Sequence, residues 1–225
     1  MENLQILDNI LLSKNVVKKF YDEYEGNIDF KNWLDEILPE VELSKNQTQN
    51  NPWHLYNVLD HILHAVEYMS ELSEGLNEKD RRLLAYTMFF HDLGKPACRT
   101  LDEKEGKVMD RFFEHNIASE KVVNRAIKNF NFNEEESKII AKLVHDHDIF
   151  LHFYAEDSDP HKDHYKKVDE NLINELIKKF NSIGDGTKIL DFLVLVGKAD
   201  ARAHTPENAK SKFKIFDKID EFLKC

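Results

Sequence analysis

The segment from Glu78 to Leu93 sets the tightest limit on the fold. Its central run, Leu83-Leu84-Ala85-Tyr86-Thr87-Met88-Phe89-Phe90, is apolar almost all the way round a helix, so no face of it can be left to water. Such a helix belongs in the middle of a bundle. Gly94 and Pro96 follow and stop it. Between the apolar run and the stop stand His91 and Asp92. A buried carboxylate without a partner is costly, so Asp92 is paired, protonated or bound to a cation. The negative end of the helix dipole adds a preference for positive charge nearby. A capping histidine beside a solvated aspartate is the plainer alternative.

The rest of the chain supplies helices to surround that segment. Seven Gly and five Pro in 225 residues are few, strand-like runs are scarce, and the expected fold class is all-α. Residues 3–38 show helical spacing and end at Pro39. The stretch Ser44–Pro52 is polar and rich in breakers, the best linker candidate. The division expected is therefore a helical preface with linker over 1–50 and a main domain over 51–225. A helix from about Trp53 to Leu72 carries Leu55, Val58, Leu59, Ile62, Val66 and Met69 on one face. Residues 99–112 read as an excursion turning at Gly106. Further helices are expected at 115–130, 134–150, 165–181, 187–203 and 206–223, with 152–164 a surface loop.

Several function classes are disfavoured at once. A net charge of −11 repels nucleic-acid backbones, so a polymer partner is not expected, although a single nucleotide held by a cation is unaffected by it. Cys98 and Cys225 are the only cysteines and form no CxxC pair, which speaks against a disulfide framework or a thiolate zinc site. The first twenty residues lack the pattern of a signal peptide, and no apolar run approaches the ~20 residues of a membrane span. The expected address is cytoplasmic.

Other polar groups fall where apolar ones are due. Asp200 continues the stripe of Ile189, Leu193 and Val196; a carboxylate there takes a metal, or an Arg or Lys partner such as Arg202. His61 lies in a border of polar rings with His54, Asn57, His64 and Tyr68. His115 shares the face of Ala118, Val122 and Ala126. Helical phase with Ile140 and Leu143 favours His147 over His145, though the run HDHD leaves the choice between them open. Alone, each histidine reads as a hydrogen-bonded core or border residue. Five helices each sending a His or Asp inward read better as one metal site, since imidazoles with carboxylates are usual ligands of divalent first-row metals.

In order, His61, His91-Asp92 and Asp200 resemble the H…HD…D signature of the HD superfamily of metal-dependent phosphohydrolases. FFHDLGKP is similar to its central motif, and DRFFEHNIAS, KLVHDHD and LVLVGKADARA to its later segments. The likeness spans roughly residues 50–205. Within the superfamily, NPWHLYNVLDHIL resembles the HD region attached to bacterial tRNA nucleotidyltransferases; the fifty residues before it are too few for the nucleotidyltransferase fold itself. Glu114 departs from the pattern, since relatives often carry Gly before the histidine.

The resemblance implies an HD-type helical bundle. His61, His91, Asp92 and Asp200 would surround one divalent ion, with His115 and His147 holding a second and Asp92 bridging. Mn, Fe, Co, Ni, Mg and Zn are not distinguished. It implies hydrolysis of a phosphate mono- or diester, a nucleotide or 2′,3′-cyclic nucleotide among them, by metal-activated water. Asp92 and Lys95 would be the catalytic pair, and Lys95 and Arg111 the cations for the substrate phosphate. Two alternatives accompany this reading: a di-iron oxygenase on the same fold, and a non-catalytic nucleotide-sensing module.

Overall fold

The computed structural model describes residues 2–104, 106–157, 159 and 162–224. Helix starts follow side-chain caps. Asn57 accepts a hydrogen bond from the Asp60 amide at the start of α5 (Val58–Leu72), and Asn77 from Asp80 at α6 (Glu78–Phe90). α5 therefore begins five residues later than the apolar spacing suggests, because the cap at Asn57 fixes its first turn.

α6 is the central helix. It packs against α5, against α1 (Glu2–Leu11), and against α8 (His115–Ala126), α9 (Glu134–Asp146) and α11 (Gly186–Arg202). All its residues from Leu83 to Phe90 are buried, as the uniformly apolar sequence requires. α1, α2 (Val16–Gly26), α3 (Ile28–Ile37) and α4 (Glu40–Asn46) form the preface and share this core. Phe20 lies 6.1 Å from Phe89 ring to ring, and Asp8 accepts from both Arg82 and Tyr86.

The polar stretch after α4 is tied down rather than free. Gln49 is buried and its amide oxygen accepts from Lys95, while the Asn50 amide donates to buried Asp110. Residues 99–112 form the expected excursion, a hairpin of β1 (Arg99–Lys104) and β2 (Lys107–Phe112) that turns at Gly106 with φ +75°. A short helix α7 (Lys95–Cys98) leads into it.

α9 ends at Asp146, four residues short of expectation, and a 3-10 turn over Ile149–His152 follows. The expected loop 152–164 begins with β3 (Phe153–Tyr154), which pairs in parallel with β4 (Lys166–Lys167); Ser158, Pro160 and His161 lie outside the described residues, as does Cys225. α10 (Glu170–Phe180) opens at Asp169, five residues later than expected, again at a side-chain cap. α11 and α12 (Pro206–Leu223) close the bundle. Among the described residues no helix is long and apolar enough to cross a membrane.

Candidate metal centre

The centre is built where α6 stops. After Phe90 the chain turns through His91, Asp92 and Gly94, and this turn presses directly on α8. A Cβ at Gly94 would stand 2.4 Å from the Ser119 amide nitrogen and 2.6 Å from the His115 carbonyl oxygen, far inside contact distance, so only glycine permits the approach. The Gly94 amide donates to Ser119 Oγ at 2.9 Å. Close packing of these two segments places Asp92 beside His115.

Asp92 lies between two sets of side chains. On one side, His61 Nε2 lies 3.2 Å and His91 Nε2 3.3 Å from Asp92 Oδ2. Asp200 Oδ1 joins them, 3.0 Å from His61 Nε2 and 3.6 Å from His91 Nε2. On the other side, His115 Nε2 lies 3.2 Å and His147 Nε2 3.7 Å from Asp92 Oδ1, and the two nitrogens are 3.2 Å apart. Arg202 does not serve Asp200; it pairs with Glu71, whereas Lys212 from α12 reaches Asp200 Oδ2 at 3.3 Å.

The imidazoles share one orientation device. Nδ1 of His91 lies 2.6 Å from the Met88 carbonyl, that of His115 2.8 Å from Phe112, and that of His147 2.7 Å from Val144. His61 Nδ1 meets the Ala203 carbonyl at 3.3 Å. Only an N–H can face a carbonyl, so Nδ1 donates and Nε2 is the nitrogen turned to the centre, the usual arrangement of ligand histidines. His145, by contrast, turns aside and pairs with Glu120 at 2.8 Å.

The electrostatics call for cations. Burial favours the neutral form of His91, but Asp92 and Asp200 override it and raise its pKa to about 10. His115 is raised to about 9, burial again being outweighed by Asp148 and Asp92. His147 is lowered by burial. Asp92 and Asp200 are held well below the carboxylate range in spite of burial, Asp92 chiefly by His91 and Lys95, Asp200 by His204 and Lys212.

Asp92 also tests whether a metal fits. It is 1% exposed, and neither of its oxygens accepts a well-aligned hydrogen bond, although Lys95 Nζ stands 2.6 Å from Oδ2. Ligands ~2.0–2.2 Å from a divalent ion lie roughly 3.0–3.5 Å from one another, close to the spacing found on both sides. His61, His91 and Asp92, and likewise Asp92, His115 and His147, could each hold an ion.

The centre opens into a cavity of about 960 Å³. Its wall carries the expected cations Lys95 and Arg111, His54 from the border of polar rings, and also Lys212 and His204, which helical phase could not reveal as neighbours of the centre. Lys95 is buried and bridges Asp92, Gln49 and His54. Arg111 lies over the Trp53 ring at 4.9 Å and bonds Asp102 at 3.2 Å. His54 arrives through a backbone bridge to His204. Burial and the Lys95 ammonium lower the His54 pKa, and burial takes that of His204 down to about 3.

The family model described as the HD domain matches residues 58–182, more than half of the chain. The matched span includes His61, His91, Asp92, His115 and His147, and ends before Asp200.

Proposed function

The chain belongs to the HD-domain superfamily of metal-dependent phosphohydrolases, and from that premise we propose that it hydrolyses a small phosphate mono- or diester of the nucleotide class in the cleft above Asp92. The observation that carries this reading is the Asp92 carboxylate, buried and short of hydrogen bonds, with each oxygen facing a different pair of imidazole nitrogens. His61, His91, Asp92 and Asp200 would hold one ion; Asp92, His115 and His147 would hold a second. Divalent ions so placed polarise a phosphoryl oxygen and lower the pKa of water towards ~7.

The protein's own groups do the rest. The four carbonyl-anchored imidazoles keep their Nε2 lone pairs aimed at fixed points, so little reorganisation is needed when substrate arrives. Lys95 and Lys212 flank the carboxylates from the cavity side and neutralise phosphate charge there. Arg111, seated on Trp53, extends the cationic wall outward. The cavity has the volume of an ordinary small-molecule site, and Trp53 and Phe113 on its rim suit a flat base. The likeness of NPWHLYNVLDHIL to HD regions attached to tRNA nucleotidyltransferases points to the same substrate class. These cations favour phosphate over the oxygen-activating alternative.

The test is a substrate panel on metal-stripped and reloaded protein: nucleoside monophosphates, 3′,5′-cyclic and 2′,3′-cyclic nucleotides, with oxygen uptake followed in parallel. Phosphate or opened-ring product is expected only after reloading. Oxygen consumption with no phosphoester cleaved would overturn the reading.

A further inference from the structure

Asp148 stands just past the end of α9, at the start of the 3-10 turn Ile149–His152. An aspartate there commonly caps the turn, yet its side chain makes no capping hydrogen bond. It faces the centre instead. Asp148 Oδ2 lies 3.1 Å from His115 Nε2 and 3.6 Å from His147 Nε2. Asp200 Oδ1 relates to His61 and His91 in the same way, at 3.0 and 3.6 Å.

We propose that Asp148 is a ligand of the second ion, so that the two ions are held by matched sets of two imidazoles and two carboxylates. The inference rests on the two-ion reading above but not on which bond is cleaved. One set is His61, His91, Asp92 Oδ2 and Asp200; the other is His115, His147, Asp92 Oδ1 and Asp148. A purely orienting role is already filled, because the Nδ1 atoms of His115 and His147 are anchored by the Phe112 and Val144 carbonyls. Asp148 lies on the opposite, lone-pair side of both rings. Two Nε2 atoms at 3.1 and 3.6 Å from an anionic oxygen need positive charge among them, a proton on His115 in the metal-free protein and an ion once metal is bound. The carboxylates Asp92, Asp148 and Asp200 then carry three negative charges against four positive ones on two divalent ions, and the remaining positive charge suits an anionic substrate.

Asp146, two residues earlier, provides the control. It is buried too, but faces Lys142 and Lys179 at 3.0 and 2.8 Å. Metal-stripped wild type, Asp148→Ala, Asp148→Asn and Asp146→Asn are titrated with Mn²⁺, with metal content measured after desalting and the paramagnetic resonance spectrum recorded. Wild type is expected to bind two Mn²⁺ per chain with an exchange-coupled spectrum. Removing a group that merely orients a ligand weakens metal binding about 10–100-fold; both Asp148 variants should weaken the second Mn²⁺ by more than about 100-fold. They should keep the first at wild-type affinity with an uncoupled six-line spectrum, and that retained ion certifies the fold. Asp146→Asn should keep both. Wild type binding a single Mn²⁺, Asp148 variants retaining the coupled pair, or Asp146→Asn losing the second ion equally would each overturn the proposal. Two coupled ions without phosphoester cleavage would sink the hydrolase reading and leave this one standing.

Discussion

The two halves of the centre are made from the same residue types by different structural means. The half around His61, His91 and Asp200 draws on α5, the end of α6 and the inner face of α11, and its imidazoles are entirely buried. Its geometry follows from the packing of the core. The half around His115, His147 and Asp148 sits on the cleft wall, where one helix begins and another has just ended. Its geometry depends on two local backbone features: the close approach of Gly94 to α8, and a left-handed residue, Glu114, at φ 59° immediately before His115. An inner site fixed by packing should hold its ion under most perturbations, while an outer site fixed by junctions should be the one that local changes tune.

The largest expected effect destroys both halves at once. Asp92 is the only carboxylate proposed to touch both ions, so Asp92→Ala should lose both and lower kcat by about three orders of magnitude or more, because turnover depends on metal-activated water. Stability of the metal-free protein should fall by about 3–5 kcal/mol, since the buried Lys95 ammonium and the protonated His91 and His115 lose the carboxylate that offsets them. Metal analysis, turnover and a urea melt check all three. Wild-type turnover from Asp92→Ala would end the functional assignment.

Gly94→Ala should separate the halves. The added methyl collides with backbone atoms of Ser119 and His115, and overpacking of this kind costs typically ~1–3 kcal/mol. α8 must shift away, carrying His115 with it. The second Mn²⁺ should weaken at least about tenfold while the first stays within about threefold, read by titration. Equal loss of both ions would show that the two halves are one rigid unit.

How much of this was legible in the sequence follows the same division. Periodicity works inside helices, so the central place of α6, the inward face of Asp200 and the preference for His147 over His145 could be read from spacing. It reaches one residue past a helix end, where His147 still keeps helical backbone angles, and fails beyond that. Asp148 lies two residues beyond the end of α9, and Lys212 on a helix whose docking against α11 no local pattern encodes; neither could be placed at the centre from phase, whereas the stripe of polar rings did set His54 beside His61. Arg111 could be named as a cation, but not that Trp53 and Asp102 would engage it. The all-α bundle was readable because α6 left no alternative, and its HD type from the resemblance carried by FFHDLGKP and the segments after it. The cap positions of α5 and α10 were not, because a single Asn57 or Asp169 sets them.

The metal-free protein should reveal the charge on both halves through pH. His91 and His115 have pKa values of about 10 and 9 in the fold, above the ~6.5 of an unfolded histidine. The folded state therefore binds these protons more tightly. The stability they contribute is fully present below about pH 6.5 and is lost as pH rises through 9 to 10. The urea midpoint of stripped protein should fall across that window. Reloaded protein should change much less, because ions replace the protons and their binding tightens as pH rises. A midpoint of stripped protein flat from pH 6.5 to 10 would contradict this account.

The smallest effect concerns Glu114, a non-glycine residue held at φ 59°. An L-residue in the left-handed region costs roughly 1–2 kcal/mol, and glycine gives back about 0.5–1 of that by its larger loss of backbone freedom on folding. Glu114→Gly should therefore stabilise the protein by about 0.5–1 kcal/mol, a rise in Tm of about 2 °C for a chain of this size. The side chain of Glu114 makes no capping hydrogen bond to α8, so its removal forfeits no cap. His115 keeps its anchor on the Phe112 carbonyl and its place against Gly94, so affinity for the second Mn²⁺ should stay within about threefold. A stabilised protein with an unchanged outer ion would mean that Gly94 and the left-handed turn, which glycine keeps, set the junction and that the strain stored by Glu114 is incidental. A weakened outer ion would mean that the strained backbone itself holds His115 in register, and the contrast between the halves would then be sharper than packing alone makes it.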